Sequence, residues 1–129
     1  MAKVLLFNIE GEKRTKIKLL LLKLRIAACD VPPGDFGRSI GALAGRKDSI
    51  DEQEETAEPF SEEMLVMDSL DAAQFHGLLD GMMRQGAKVA LKAVVTEQNL
   101  GWSAARLHSE LAAEREAMKN GDARSVHGG

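Results

Sequence analysis

The chain has 129 residues, a length that one hydrophobic core can hold together without disulfide or metal staples. Apolar residues make up 44% and charged residues 29%, and the net charge of −3 sets up no field that would draw the protein to nucleic acid. The single cysteine, Cys29, excludes an internal disulfide framework and suits a reducing compartment, so a cytoplasmic setting is expected.

Met1-Ala2-Lys3 opens onto Val4-Leu5-Leu6-Phe7, an apolar run too short for a signal peptide. Lys3 to Ile9 reads as a strand whose continuous apolar pattern suits burial on both faces. Glu12 to Arg25 is built from strong helix formers. Its run Leu19 to Leu22 lies between Lys18 and Lys23, far short of the roughly 20 apolar residues a bilayer requires, so no membrane partner is expected. Ile26 to Val31 reads as a second strand, stopped by Pro32-Pro33, and Asp35 as the N-cap of a short helix ending near Arg46. An acidic linker, 47–62, follows.

Met64-Leu65-Val66-Met67 is a third continuous strand, with Asp68 or Ser69 capping the next helix. Phe75, Leu78, Leu79, Met82 and Met83 fit the spacing of one apolar helix stripe, closed by Gly86. Lys88 to Thr96 reads as a fourth strand. A final helix carries Leu107, Leu111 and Met118, and a disordered tail, 122–129, is expected.

The order is thus strand-helix-strand-helix twice, in halves 1–46 and 63–121 of a single α/β domain, 1–121. Lys3-Val4-Leu5-Leu6-Phe7-Asn8 lies over Glu63-Met64-Leu65-Val66-Met67-Asp68 at an offset of 60, and Asp35-Phe36-Gly37-Arg38-Ser39 over Asn99-Leu100-Gly101-Trp102-Ser103 at 64. An internal repeat of this kind predicts a four-stranded, mainly parallel sheet in the order 2-1-3-4, built from two βαβα halves, with helices on both faces. The alternative is a ferredoxin-like α+β sheet with its helices on one face.

Glu63-Met64-Leu65-Val66-Met67, then Leu91-Lys92-Ala93-Val94-Val95-Thr96-Glu97-Gln98-Asn99-Leu100-Gly101-Trp102, then Leu107, Glu110 and Leu111, resemble the bacterial family called domain of unknown function 3783. The resemblance covers the second half of the chain. It implies a bacterial origin and carries over no catalytic residue.

In an open parallel sheet, ligands bind beyond the carboxyl ends of the strands. Asn8 and Glu10 follow the first strand, Asp68 and Ser69 the third, Thr96 and Asn99 the fourth, and these six are expected to converge on one edge as candidate ligand-binding residues. The competing reading makes each a helix cap or turn residue. Gly37, Gly41 and Gly45 lack the Lys-Ser/Thr of a phosphate loop and read as a close-packing helix face. His76, His108 and His127 show no metal spacing with each other or with Cys29, and read as surface residues, as Cys29 reads as buried. No metal site, cofactor or catalytic constellation is expected. Trp102 reads as a packing anchor.

The first helix is the unusual surface. Ile17, Leu20, Leu21 and Leu24 form its core stripe, leaving Leu19 and Leu22 as candidate interface residues. Their cover would be Ile50 or Phe60 of the linker, or another subunit. The basic residues Lys13, Arg14, Lys16, Lys18, Lys23 and Arg25 could meet an anion, but without interleaved aromatics nucleic acid is not expected. The reading reached is a non-catalytic interaction module, a homodimer or a binder of another protein. The alternative is a small-ligand or nucleotide-binding protein, or an enzyme, using the strand-end edge.

Overall fold

A computed structural model describes residues 1–47 and 59–128, with side chains through 119. Most of the 47–62 linker, Ile50 included, lies outside the described residues. Four strands, β1 (Lys3–Phe7), β2 (Ala27–Val31), β3 (Met64–Asp68) and β4 (Leu91–Val94), form one open sheet in the order β2-β1-β3-β4. β1 pairs parallel with β2, and β3 parallel with β4, while the central pair β1–β3 is antiparallel. The central strands are buried from Val4 to Phe7 and along all of β3. That double coverage is why both read as unbroken apolar runs.

Helices α1 (Gly11–Lys23) and α3 (Ala72–Arg84) cover one face, enclosing Val4, Leu6, Ile17, Leu21, Leu65 and Leu78. The other face carries a 3₁₀ turn (Pro33–Asp35), α2 (Ile40–Leu43) and α4 (Ala104–Gly128) over Leu5, Phe7, Phe36, Ile40, Val66 and Leu107. Coverage on both faces rules out the ferredoxin-like alternative. None of the described helices is long and apolar enough to cross a membrane.

The two halves correspond about a pseudo-twofold axis through all three layers. From β1 through the end of α1 the offset is 61. Asn8 and Ser69 share the left-handed conformation (φ 61° and 63°), as do Arg25 and Gly86. The closing bond from the Ile26 amide to the Leu21 carbonyl is matched from Ala87 to Met82. The pair Leu5–Val66 then sits on the axis in the sheet, with Leu20 against Gly81 between the helices. The strand alignment at 60 is therefore one residue out. A one-residue slip exchanges the two faces of a strand, and 61 places Leu6 and Met67 in one core, Leu5 and Val66 in the other. From β2 onward the offset is 64. On the far layer the Ile40 and Gly41 amides donate to the Trp102 and Leu100 carbonyls, and Ala104 and Ala105 return bonds to Arg38 and Phe36. Ser39 and Ser103, bridged to each other, cap α2 and α4 by accepting from the equivalent Ala42 and Arg106 amides.

Several local readings need correction. The helix expected from Asp35 to Arg46 is a 3₁₀ turn followed by a single turn capped by Ser39, because Ile40 and Gly41 bond across the axis. Gly37, Gly41 and Gly45 accordingly form no helical face. The cap of α3 is Asp71, in a reciprocal capping box with Gln74, not Asp68 or Ser69. Met83 and Met118 are exposed rather than core.

Candidate functional site

Because β1 and β3 are antiparallel, the carboxyl ends of β1 and β2 lie at one end of the sheet and those of β3 and β4 at the other. The six candidate residues therefore do not converge. Asn8 and Glu10 stand at one end, and Asp68, Ser69, Thr96 and Asn99 at the opposite end.

At the first end, the Asn8 amide nitrogen donates to the Phe60 and Glu62 carbonyls at 2.8 and 3.1 Å, clamping the chain as it enters β3. Glu10 precedes α1 without a side-chain cap bond and is exposed. The clamped segment is held by further contacts. Phe60 stacks on Phe36 and His108 at 4.4 and 4.1 Å, and Glu62 accepts from Arg115 and pairs with His108. Those bonds, Arg115 first and His108 second, lower the pKa of Glu62. His108 is thus a half-buried packing residue rather than a surface one, and Phe60 covers the face opposite α1, not Leu19 and Leu22. A cleft of about 390 Å³ lies beside Asn8 and Glu10, flanked by Arg14 and Asp30. Arg14 grips Asp30 with two bonds of 3.0 and 2.8 Å and Lys18 joins them, pulling the Asp30 pKa down to about 2, with the Arg14 bonds the largest cause.

At the second end, Thr96 and Asn99 bond each other's backbone amides, and the Asn99 side chain also donates to the Val94 carbonyl at 3.0 Å. Both are turn residues of the kind their types favour. Asp68 differs. It is 4% exposed, and its Oδ1 accepts from Arg46 at 3.0 Å and from Ser69 Oγ at 3.1 Å. It borders a second cleft, of about 410 Å³, with Arg46, Ser69, Phe75, Val94 and Val95.

On α1, Ile17 and Leu21 face the sheet, Leu20 and Leu24 pack on α3, and Leu19 and Leu22 are 56% and 74% exposed. Met83, the counterpart of Leu22 on α3, is likewise 75% exposed. Four of the six basic residues from Lys13 to Arg25 are engaged within the chain: Lys13 with Glu63, Arg14 and Lys18 with Asp30, Lys16 with Glu12. Cys29 lies half-buried on the edge strand β2. Trp102 packs on the α4-side core and carries Arg106 over its ring at 4.4 Å. Among the described residues no cluster of His, Cys, Asp and Glu is arranged to hold a metal.

The unit β3-α3-β4-α4 is the part of the chain with a recognisable relative. Residues 63–118 match the family described as Domain of unknown function, DUF3783. The second half of the chain is thus similar to that family. No curated protein and no solved structure matches the chain. The DUF3783 match begins one residue before β3 and ends within α4, so its limits are those of one pseudo-twofold half. It holds Asp68, Ser69, Thr96 and Asn99, whereas Leu19 and Leu22 lie outside it.

Proposed function

We propose that this chain is a non-catalytic interaction module of the bacterial cytoplasm, that its halves descend from a duplicated unit, and that it self-associates through the outer side of α1. The observation that carries this reading is the exposure of Leu19 and Leu22 on the helix side turned away from the sheet. Contiguous exposed apolar side chains on an otherwise polar surface mark association sites. Engagement of Lys13, Arg14, Lys16 and Lys18 by Glu12, Asp30 and Glu63 supports a second copy as the partner, because it reduces the like-charge repulsion that two basic helices would meet. The clamp role of Asn8 and the turn roles of Thr96 and Asn99 also favour this reading over a broad strand-end site.

Static light scattering on the intact chain tests it. Wild type is expected at about twice the 14.0 kDa monomer mass. A Leu19→Glu/Leu22→Glu variant is expected at the monomer mass, with unchanged circular dichroism. Wild type that is monomeric at every concentration refutes self-association.

A further inference from the structure

The pseudo-twofold sets two clefts side by side for comparison, one at the carboxyl end of each parallel strand pair, and they differ in chemistry. In the first half, the wall positions are Arg14 and Asp30, and they close on each other as a bidentate ion pair. Their counterparts in the second half are Phe75 and Val94, so the same two positions offer an apolar wall, continued by Val95. Val94 is left 46% exposed. The counterpart of Phe7, a core aromatic, is Asp68, a carboxylate that is 4% exposed. Both bonds to Asp68 land on Oδ1, from Arg46 and Ser69, and none among the described residues reaches Oδ2. Where one half closes an ion pair on itself, the other thus sets an apolar wall next to a carboxylate oxygen that no described residue bonds and that is not sealed from solvent.

We propose that the Asp68 cleft binds a small primary amine, its ammonium group donating to Asp68 Oδ2 and its apolar body lying against Phe75, Val94 and Val95. The lining carries two carboxylates, Asp68 and Asp71, against the one guanidinium of Arg46, a balance that favours a cation over an anion. A cleft of about 410 Å³ suits a ligand of a few heavy atoms. The site is separate from the α1 face, so either proposal can fail without the other.

The test is a nitrogen–proton correlation titration of the full chain with isopentylamine hydrochloride, with leucine as a second arm to separate free amines from amino acids. Saturable shifts are expected at the amides of Ser69, Leu70, Ala72 and Val95, with a Kd on the order of 1 mM for a ligand of this size. The amides of Asn8, Glu10 and Gly11 are expected to stay in place. Binding of isopentylamine alone identifies free amines as the ligand source, and binding of leucine with comparable affinity identifies amino acids. Asp68→Asn is expected to weaken binding at least tenfold. Since removing that charge also disturbs Arg46, Val94→Trp serves as the second variant. It alters an exposed residue, fills the cleft, leaves Asp68 in place, and is expected to abolish the shifts. Absence of saturable shifts in wild type, or binding of undiminished strength in Val94→Trp, overturns the proposal.

Discussion

Asn8 shows how a residue type can be read rightly and its task wrongly. Asparagine after a strand fits a ligand edge, and it equally fits a left-handed turn, where its short amide lowers the cost of positive φ. Here it holds φ 61° and ties down two carbonyls fifty residues away. Such partners cannot be read from local spacing. Asn8→Ala is expected to cost about 1–3 kcal/mol in urea denaturation, through two half-buried bonds and the strained backbone. Ser69→Ala, at the matching position but with one short-range bond, is expected to cost under about 1 kcal/mol. Equal costs would show that the clamp contributes nothing. Asp30 gives a pH signature. Its folded pKa lies below its unfolded value, so its contribution is full above about pH 4 and is lost as pH falls toward about 2. The site is partly exposed, so the contribution is under about 1 kcal/mol after solvent screening. Asp30→Asn is expected to be less stable than wild type at pH 7 and to match it near pH 2. A constant difference across that range would contradict the ion-pair account.

Between elements, the closest approach is that of α1 to α3. A Cβ at Gly81 would stand 2.6 and 2.7 Å from the two Leu20 methyls. Alanine favours a helix by about 1 kcal/mol over glycine, yet Gly81→Ala is expected to destabilise by about 1–2 kcal/mol because Leu20 must leave its place. In a Leu20→Ala background the same substitution is expected to stabilise. Stabilisation in both backgrounds, measured by thermal melting, would contradict the packing. The existence of these elements was legible: unbroken apolar runs marked β1 and β3, and i, i+3, i+4 spacing marked the buried sides of α1 and α3. The capping box Asp71-x-x-Gln74 was also present in the sequence as a helix-start signal. Met83 was not legible as an exposed residue, because it continues the apolar spacing of Leu79 and Met82 and only the position of the sheet shows which side is outermost. Nor was the break between the 3₁₀ turn and α2, which is imposed by bonds from Leu100 and Trp102, about sixty residues distant.

At the scale of the molecule, the succession of strands and helices announced the sheet order, since two strand-helix-strand units joined through their first strands give β2-β1-β3-β4. The relative direction of the halves did not follow from that order, and it decides where ligands could sit. A twofold normal to the sheet reverses β3 against β1, so the strand ends divide into two distant groups. The surface assigned to self-association, Leu19 and Leu22 on α1, is set apart from both strand-end groups. Methyl NMR with a soluble paramagnetic probe reads that surface directly. The account predicts that, as protein concentration rises from micromolar to millimolar, the Leu19 and Leu22 methyls become shielded from the probe while Val94, at the far strand end, stays as accessible as before. Leu19 and Leu22 methyls that remain equally accessible at all concentrations would contradict it.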